Sequence, residues 1–157
     1  MNLFASRFKL AYKLIGGGRL SRAARPRKRN DTNATIFTDL LGHWANLYVA
    51  SAQIKGIVNG QDNFTFGVGQ SITRQDAAVM LKRVLDYKGI SLESGEVKTF
   101  SDADEIAEYA KESVDALASA GVINGMTETE FAPAGKLTRA QAAKLIYGAL
   151  SRYERRN

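Results

Sequence analysis

"SITRQDAAVMLKRVL" (71–85) and "KLTRAQAAKLIYGAL" (136–150) decide how this chain is read. Each sets a Thr-Arg step ahead of apolar residues spaced three and four apart, the pattern of an amphipathic helix. Thr73 with Asp76, and Thr138 with Gln141, have capping-box spacing, the Gln pair more faithfully. A cap needs the Thr and has no use for the Arg. Arg74 and Arg139 fall at the first helical position, where the macrodipole disfavours a cation by about 0.3 kcal/mol or more. A local conflict made twice points to function, and the question is which anion the two guanidinium groups await. A structural alternative stands beside it: each Arg pairs with an acid of the other copy, such as Asp39 or Asp102, and staples the copies together.

The two stretches belong to a longer repeat. Setting 44–85 over 109–150 matches Ala45 with Ala110, Gly56 with Gly121, Asn59-Gly60 with Asn124-Gly125, Phe66 with Phe131 and Leu85 with Leu150, at a constant shift of 65. "FTD" (37–39) matches "FSD" (100–102) at a shift of 63, so the second copy has two extra residues after its Asp. Each copy reads as helix, loop, helix. In "HWANLYVASAQIKG" the helical spacing picks out Trp44, Leu47, Tyr48 and Ile54, and Gly56 is a fitting C′ residue. In "EIAEYAKESVDALASAG" it picks out Ile106, Tyr109, Val114 and Leu117, with Gly121 as the stop. The intervening loops are turn-rich, and Asn59-Gly60 invites positive φ.

The resulting expectation is an all-α chain. It divides into a basic arm (1–35), a first module (36–90), a linker (91–98), a second module (99–152) and a tail (153–157). With 157 residues, 45% of them hydrophobic, it can bury one modest core or two very small ones. The absence of Cys excludes disulfides and thiolate chemistry, and the single His43 excludes His-rich metal sites, so neither metal nor cofactor is expected. No stretch has the roughly 18 apolar residues that span a bilayer, and no membrane partner is expected.

The net charge of +6 is unevenly placed, since residues 1–30 carry nine Lys or Arg and no acid, leaving the rest at −3. Lys9 and Lys13 interrupt the only segment apolar enough for a secretory signal, so none is read there. A solvated tail is the plain account of the arm. Contact with nucleic acid or anionic lipid through its charge is the alternative.

The ordered set "FTDLLGHWA", "KGIVNG", "FTFGVGQSITRQDAAVML", then "FSDADEIAEYA", "AGVINGM", "FAPAGKLTRAQAAKLI", resembles the S-layer homology (SLH) domain, twice over. The resemblance covers nearly all of 37–150. It implies a helical bundle that anchors surface proteins non-covalently to bacterial cell wall by binding secondary cell-wall polysaccharide, frequently pyruvylated on N-acetylmannosamine. It implies an extracellular, cell-wall or S-layer location and no catalysis. The family's Thr-Arg motif, carried over, makes Thr73-Arg74 and Thr138-Arg139 the carboxylate-binding steps. Asp39, Trp44 and Gly60, then Asp102 and Gly125, are implied as groove residues.

Physical chemistry agrees with such a ligand: an Arg fork matches a carboxylate, and backbone N–H groups at the same helix end would add donors. One such contact contributes about 1.5–3 kcal/mol, so repetition would act by avidity. Trp44 and Tyr109 could cover a sugar face, but their helical spacing reads as core first.

Several residues depart from the pattern. Val68 stands where Pro133 keeps the family Pro, and Asp76 and Gln141 stand where Glu is usual. The second copy lacks His-Trp. Upstream, "RLSRAARP" (19–26) resembles the Thr-Arg piece of a preceding module, with Arg22 as a third Arg, but Pro26 should break its helix. A truncated or degenerate first module is therefore expected, in the tail of a larger surface protein or in a chain that starts at Met1. Self-association to complete a three-module bundle is a further expectation. Two other functions stand as alternatives. A wall-lytic hydrolase would need opposed carboxylates, whereas Asp102, Asp104 and Glu105 are neighbours in one segment. A nucleic-acid binder would have to act through the arm alone.

Overall fold

A computed structural model describes residues 36–93, 95–96 and 98–154. The basic arm, with Arg22 and the proposed module remnant, lies outside the described residues. Among those described, the chain forms four α-helices and two 3-10 turns: a turn at Thr38–Leu40, α1 (Asn46–Ile54), α2 (Arg74–Tyr87), a turn at Ala103–Glu105, α3 (Glu108–Ser119) and α4 (Arg139–Glu154). There is no strand among them, only a single antiparallel bridge between Thr73 and Lys136. The all-α expectation holds.

Helix ends follow a local code written three times. After α1, Gly56 N–H donates to Gln53 O and Ile57 N–H to Ala52 O (both 2.9 Å). Gly89 and Ile90 do the same after α2, on Asp86 and Leu85, and Gly121 and Val122 after α3, on Ala118 and Leu117. These are Schellman closures. Each Gly has φ near +65°, which residues with a Cβ adopt at a cost, and the next residue is a buried Ile or Val that plugs the helix end.

The chain divides into two compact units, Met1–Val68 and Gly69–Asn157. In the first, Phe37, Leu40, Val49, Ala50, Ile57 and Val58 are buried, with the Phe37 and Phe66 rings 5.6 Å apart. The apolar face expected for α1 is not the buried one. Trp44 is 47% exposed, Leu47 42% and Ile54 72%, whereas the small residues Ala45, Val49, Ala50 and Ala52 point inward. Helix α1 therefore sits close on its core, leaving the larger side chains outside.

In the second unit α2 packs on α3 and α4. Leu85, Phe100, Ile106, Val114, Leu117, Val122 and Phe131 form its centre. Here Ile106, Val114 and Leu117 are buried as their spacing predicts, while Tyr109 is 61% exposed. Helix α2 belongs by sequence to the first repeat and by packing to the second unit. Repeat boundaries and packing boundaries thus differ, and that offset builds the site.

Candidate functional site

The loop of each repeat is tied to its own Phe-x-Asp segment. In the first unit Asp39 accepts the backbone N–H of Phe66 at Oδ1 (2.9 Å), and those of Gly67 (2.8 Å) and Val68 (3.0 Å) at Oδ2. The bonds from Phe66 and Val68 hold the Asp39 carboxyl below its usual range. In the second unit Asp102 accepts from Phe131 at Oδ1 (2.8 Å) and Ala132 at Oδ2 (2.7 Å). The third donor is missing because position 133 is Pro. Against the desolvation that burial imposes, these bonds and the charge of Arg74 keep Asp102 below the ordinary carboxyl value.

Gly60 and Gly125 serve the same loops through close approach. Neither has positive φ, contrary to the turn reading of Asn59-Gly60. A Cβ on Gly60 would strike the Phe37 ring and the carbonyls of Asp62 and Thr65; one on Gly125 would strike those of Thr127 and Glu130.

Arg74 is the buried charge of this arrangement, 8% exposed. Its Nε donates to Phe131 O (2.7 Å) and its Nη2 to Asn124 O (2.9 Å), with the guanidinium carbon 5.0 Å from the Phe131 ring centre. The two ion pairs among the described residues, Lys82–Asp86 and Lys111–Glu108, do not involve it. Burial lowers its pKa, and the Asp102 charge opposes that without direct contact. Since Arg stays protonated in proteins, a full positive charge is held among neutral carbonyls and a π face.

Thr73 caps α2 as expected, accepting from Asp76 N–H (3.2 Å) and donating to Asp76 Oδ2 (2.5 Å). Asp76 Oδ1 accepts from the Tyr109 hydroxyl (2.7 Å), so the shorter acid joins α2 to α3 instead of closing a full box. Thr138 and Gln141 do close one: Thr138 N–H donates to Gln141 Oε1 (2.8 Å) and Gln141 N–H to Thr138 Oγ1 (3.3 Å). The donors expected at the mouth of α2 are already taken, since Arg74 N–H bonds Gly135 O (2.9 Å) and Gln75 N–H bonds Pro133 O (3.1 Å). A ligand there must be met by side chains.

Beside Arg74 a cavity of about 210 Å³ opens, walled by the 122–126 loop, Ala78, Phe131, Leu137, Gln141, Lys144 and Leu145. Its wall holds two cations, Arg74 and Lys144, and no carboxylate. Asn124 spans both: with its amide oriented to satisfy both of its ends, Oδ1 accepts from Lys144 Nζ (3.2 Å) and Nδ2 donates to Ile123 O (2.9 Å).

Of the residues singled out from sequence, Arg74 and Gly125 meet at this cavity, and Asp102 supports it through Phe131. Thr73, Thr138 and Arg139 are not in its wall. Arg139 is exposed at the start of α4, with no hydrogen bond or ion pair from its guanidinium among the described residues. Asp39, Trp44 and Gly60 belong to the first unit. Sequence reasoning missed Asn124, Met126 and Lys144. Lys144 was findable, because Gln141, Lys144 and Leu145 share one helical face.

The S-layer homology domain model matches residues 36–78 and 99–143, more than half of the chain. An amylopullulanase of Thermoanaerobacterium thermosulfurigenes is 33% identical over 129 residues, 79% of this chain and 7% of its own length. An S-layer protein of Bacillus licheniformis is 30% identical over 114 residues, 73% of this chain and 12% of its own. An exoglucanase of Acetivibrio thermocellus is 33% identical over 112 residues, 71% of this chain and 10% of its own. The chain thus spans a small fraction of the relatives it matches. On the repeated Phe-x-Asp, Asn-Gly and Thr-Arg segments and the match to both copies, this chain belongs to the S-layer homology domain family.

Proposed function

We propose that the chain is a non-catalytic module that anchors to a bacterial cell surface by binding an anionic, pyruvylated secondary cell-wall polysaccharide, with the Arg74 cavity as its site. One observation carries the reading: a buried guanidinium opens on a cavity whose wall contains no acid. A buried charge lacking an ionic partner costs free energy that an entering carboxylate returns. The fork supplies direction, and the apolar wall from Val122, Met126 and Leu137 suits the faces of a sugar ring. Similarity to an S-layer protein, an amylopullulanase and an exoglucanase fits a module joined to different neighbours in longer chains. On this reading the protein acts outside the cell.

The test is co-sedimentation with cell-wall sacculi, before and after chemical removal of the secondary polymer. The parent should sediment only with unstripped walls. Arg74→Ala should stay in the supernatant while its helical circular dichroism persists. Equal sedimentation of folded Arg74→Ala and parent would overturn the reading.

A further inference from the structure

Lys144 is left unexplained by the repeat. Its counterpart 65 residues earlier is Val79, a core residue 6% exposed, whereas Lys144 is exposed and lines the cavity. The first copy sets an apolar side chain into the core here, and the second copy sets an ammonium at the surface. That ammonium reaches the side chain of the residue whose backbone carbonyl holds Arg74, so the two cations converge on opposite ends of Asn124. Two cations on one small cavity with no carboxylate in its wall offer an anion a charge from each side.

We propose that Lys144 is the second ligand-binding cation of this cavity, closing from the rim over the anion that Arg74 meets inside. The proposal rests on the polysaccharide reading above and deepens it. The two cations have different tasks. Two backbone carbonyls fix Arg74, so it sets the direction of approach. Lys144 stands on a flexible stem with three rotatable donors, one of them used on Asn124, and follows the ligand. About 210 Å³ is room for one sugar ring, below the ~300–1,000 Å³ of pockets that enclose drug-sized molecules. At the rim Met126, 55% exposed, is held by the Gln141 side-chain amide (Nε2 to Sδ, 2.9 Å) and offers the ring an apolar edge.

The experiment is an NMR titration of the whole chain with the methyl glycoside of pyruvate-ketal N-acetylmannosamine, and with its ketal-free counterpart, at two salt concentrations. Only the ketal should shift the amides of Asn124, Gly125, Met126 and Lys144. Lys144→Gln should weaken it about two- to fivefold, as loss of one exposed charge does, and flatten the salt dependence. Lys144→Arg should restore affinity to within about twofold, as charge at that site requires. If Lys144→Gln binds like the parent while Arg74→Ala does not bind, the role given to Lys144 falls and the polysaccharide reading stands. If neither variant changes sedimentation with walls, the polysaccharide reading falls too. The parent titration decides the location even if Arg74→Ala misfolds, because shifts away from the 122–126 loop would overturn the proposal without any variant.

Discussion

Asp102→Asn removes one charge and moves almost no atoms, which makes it the sharpest probe of how the site is held. In the parent, both carboxylate oxygens accept backbone N–H groups, at 2.8 Å from Phe131 and 2.7 Å from Ala132. Bonds to an ionised acceptor contribute about 1.5–3 kcal/mol each. An amide in the same place keeps one of them as a neutral bond of about 1 kcal/mol and turns its NH₂ toward the other N–H. The net loss should be about 2–3 kcal/mol at neutral pH. With a urea slope of about 1–3 kcal/mol per molar, the midpoint should fall by about 0.7–3 M.

The loss should depend on pH in a definite direction. Asp102 in the folded protein lies below its reference value of 3.8, so its contribution is complete above that value and disappears as pH falls through the lower folded value. Urea midpoints of parent and variant should therefore be well apart at about pH 7 and converge as the pH drops from about 5 toward 3. Phe131 O also receives Arg74 Nε, so ligand affinity should fall in the variant along with stability. A variant as stable as the parent at neutral pH, or a gap undiminished in acid, would refute the claim that this carboxylate locks the loop.

Two more substitutions probe the same loop by calorimetry or urea titration. Ala132 has φ of +57° where the first repeat has Gly67 at +92°; Ala132→Gly should relieve the left-handed strain and stabilise by about 0.5–1 kcal/mol, after the entropy that Gly costs. Gly125→Ala should destabilise by about 2–3 kcal/mol, because the atoms that a Cβ would strike are carbonyls of Thr127 and Glu130, fixed in the backbone.

The helices, their Gly stops and the repeat were legible because each is written in residues close together in sequence. Gly56 and Gly121 needed no tertiary information, whereas Gly89, which closes α2 in the same way, is not singled out by spacing alone. The site was harder for two physical reasons. Periodicity does not tell a large apolar residue from a small one, so Trp44 and Leu47 were read as core while Ala50 and Ala52 form it. And repeated residues are repeated mostly for architecture: Asp39 and Asp102, Gly60 and Gly125 hold loops in place. Lys144 shows only where the copies differ, against Val79, and that difference acquires meaning only beside Asn124.

The two Arg residues that the sequence makes equivalent differ in burial and partners. Arg74 is at a helix start whose N–H groups are taken by Gly135 and Pro133, and its guanidinium is fixed by carbonyls of the next repeat. Arg139 starts α4 with the same Thr and a better capping box, yet it is exposed and outside the cavity wall. A cavity of this kind thus takes its Arg from one repeat and its wall from the following one, and the Arg74 cavity owes nothing to Arg139. Arg139→Ala should therefore bind the ketal sugar at the Asn124 loop within about twofold of the parent, as idle surface charges do, whereas Arg74→Ala should show no binding there. An equal loss in both variants would mean that matching position in the repeat, and not burial beside an acid-free cavity, decides which guanidinium meets the ligand.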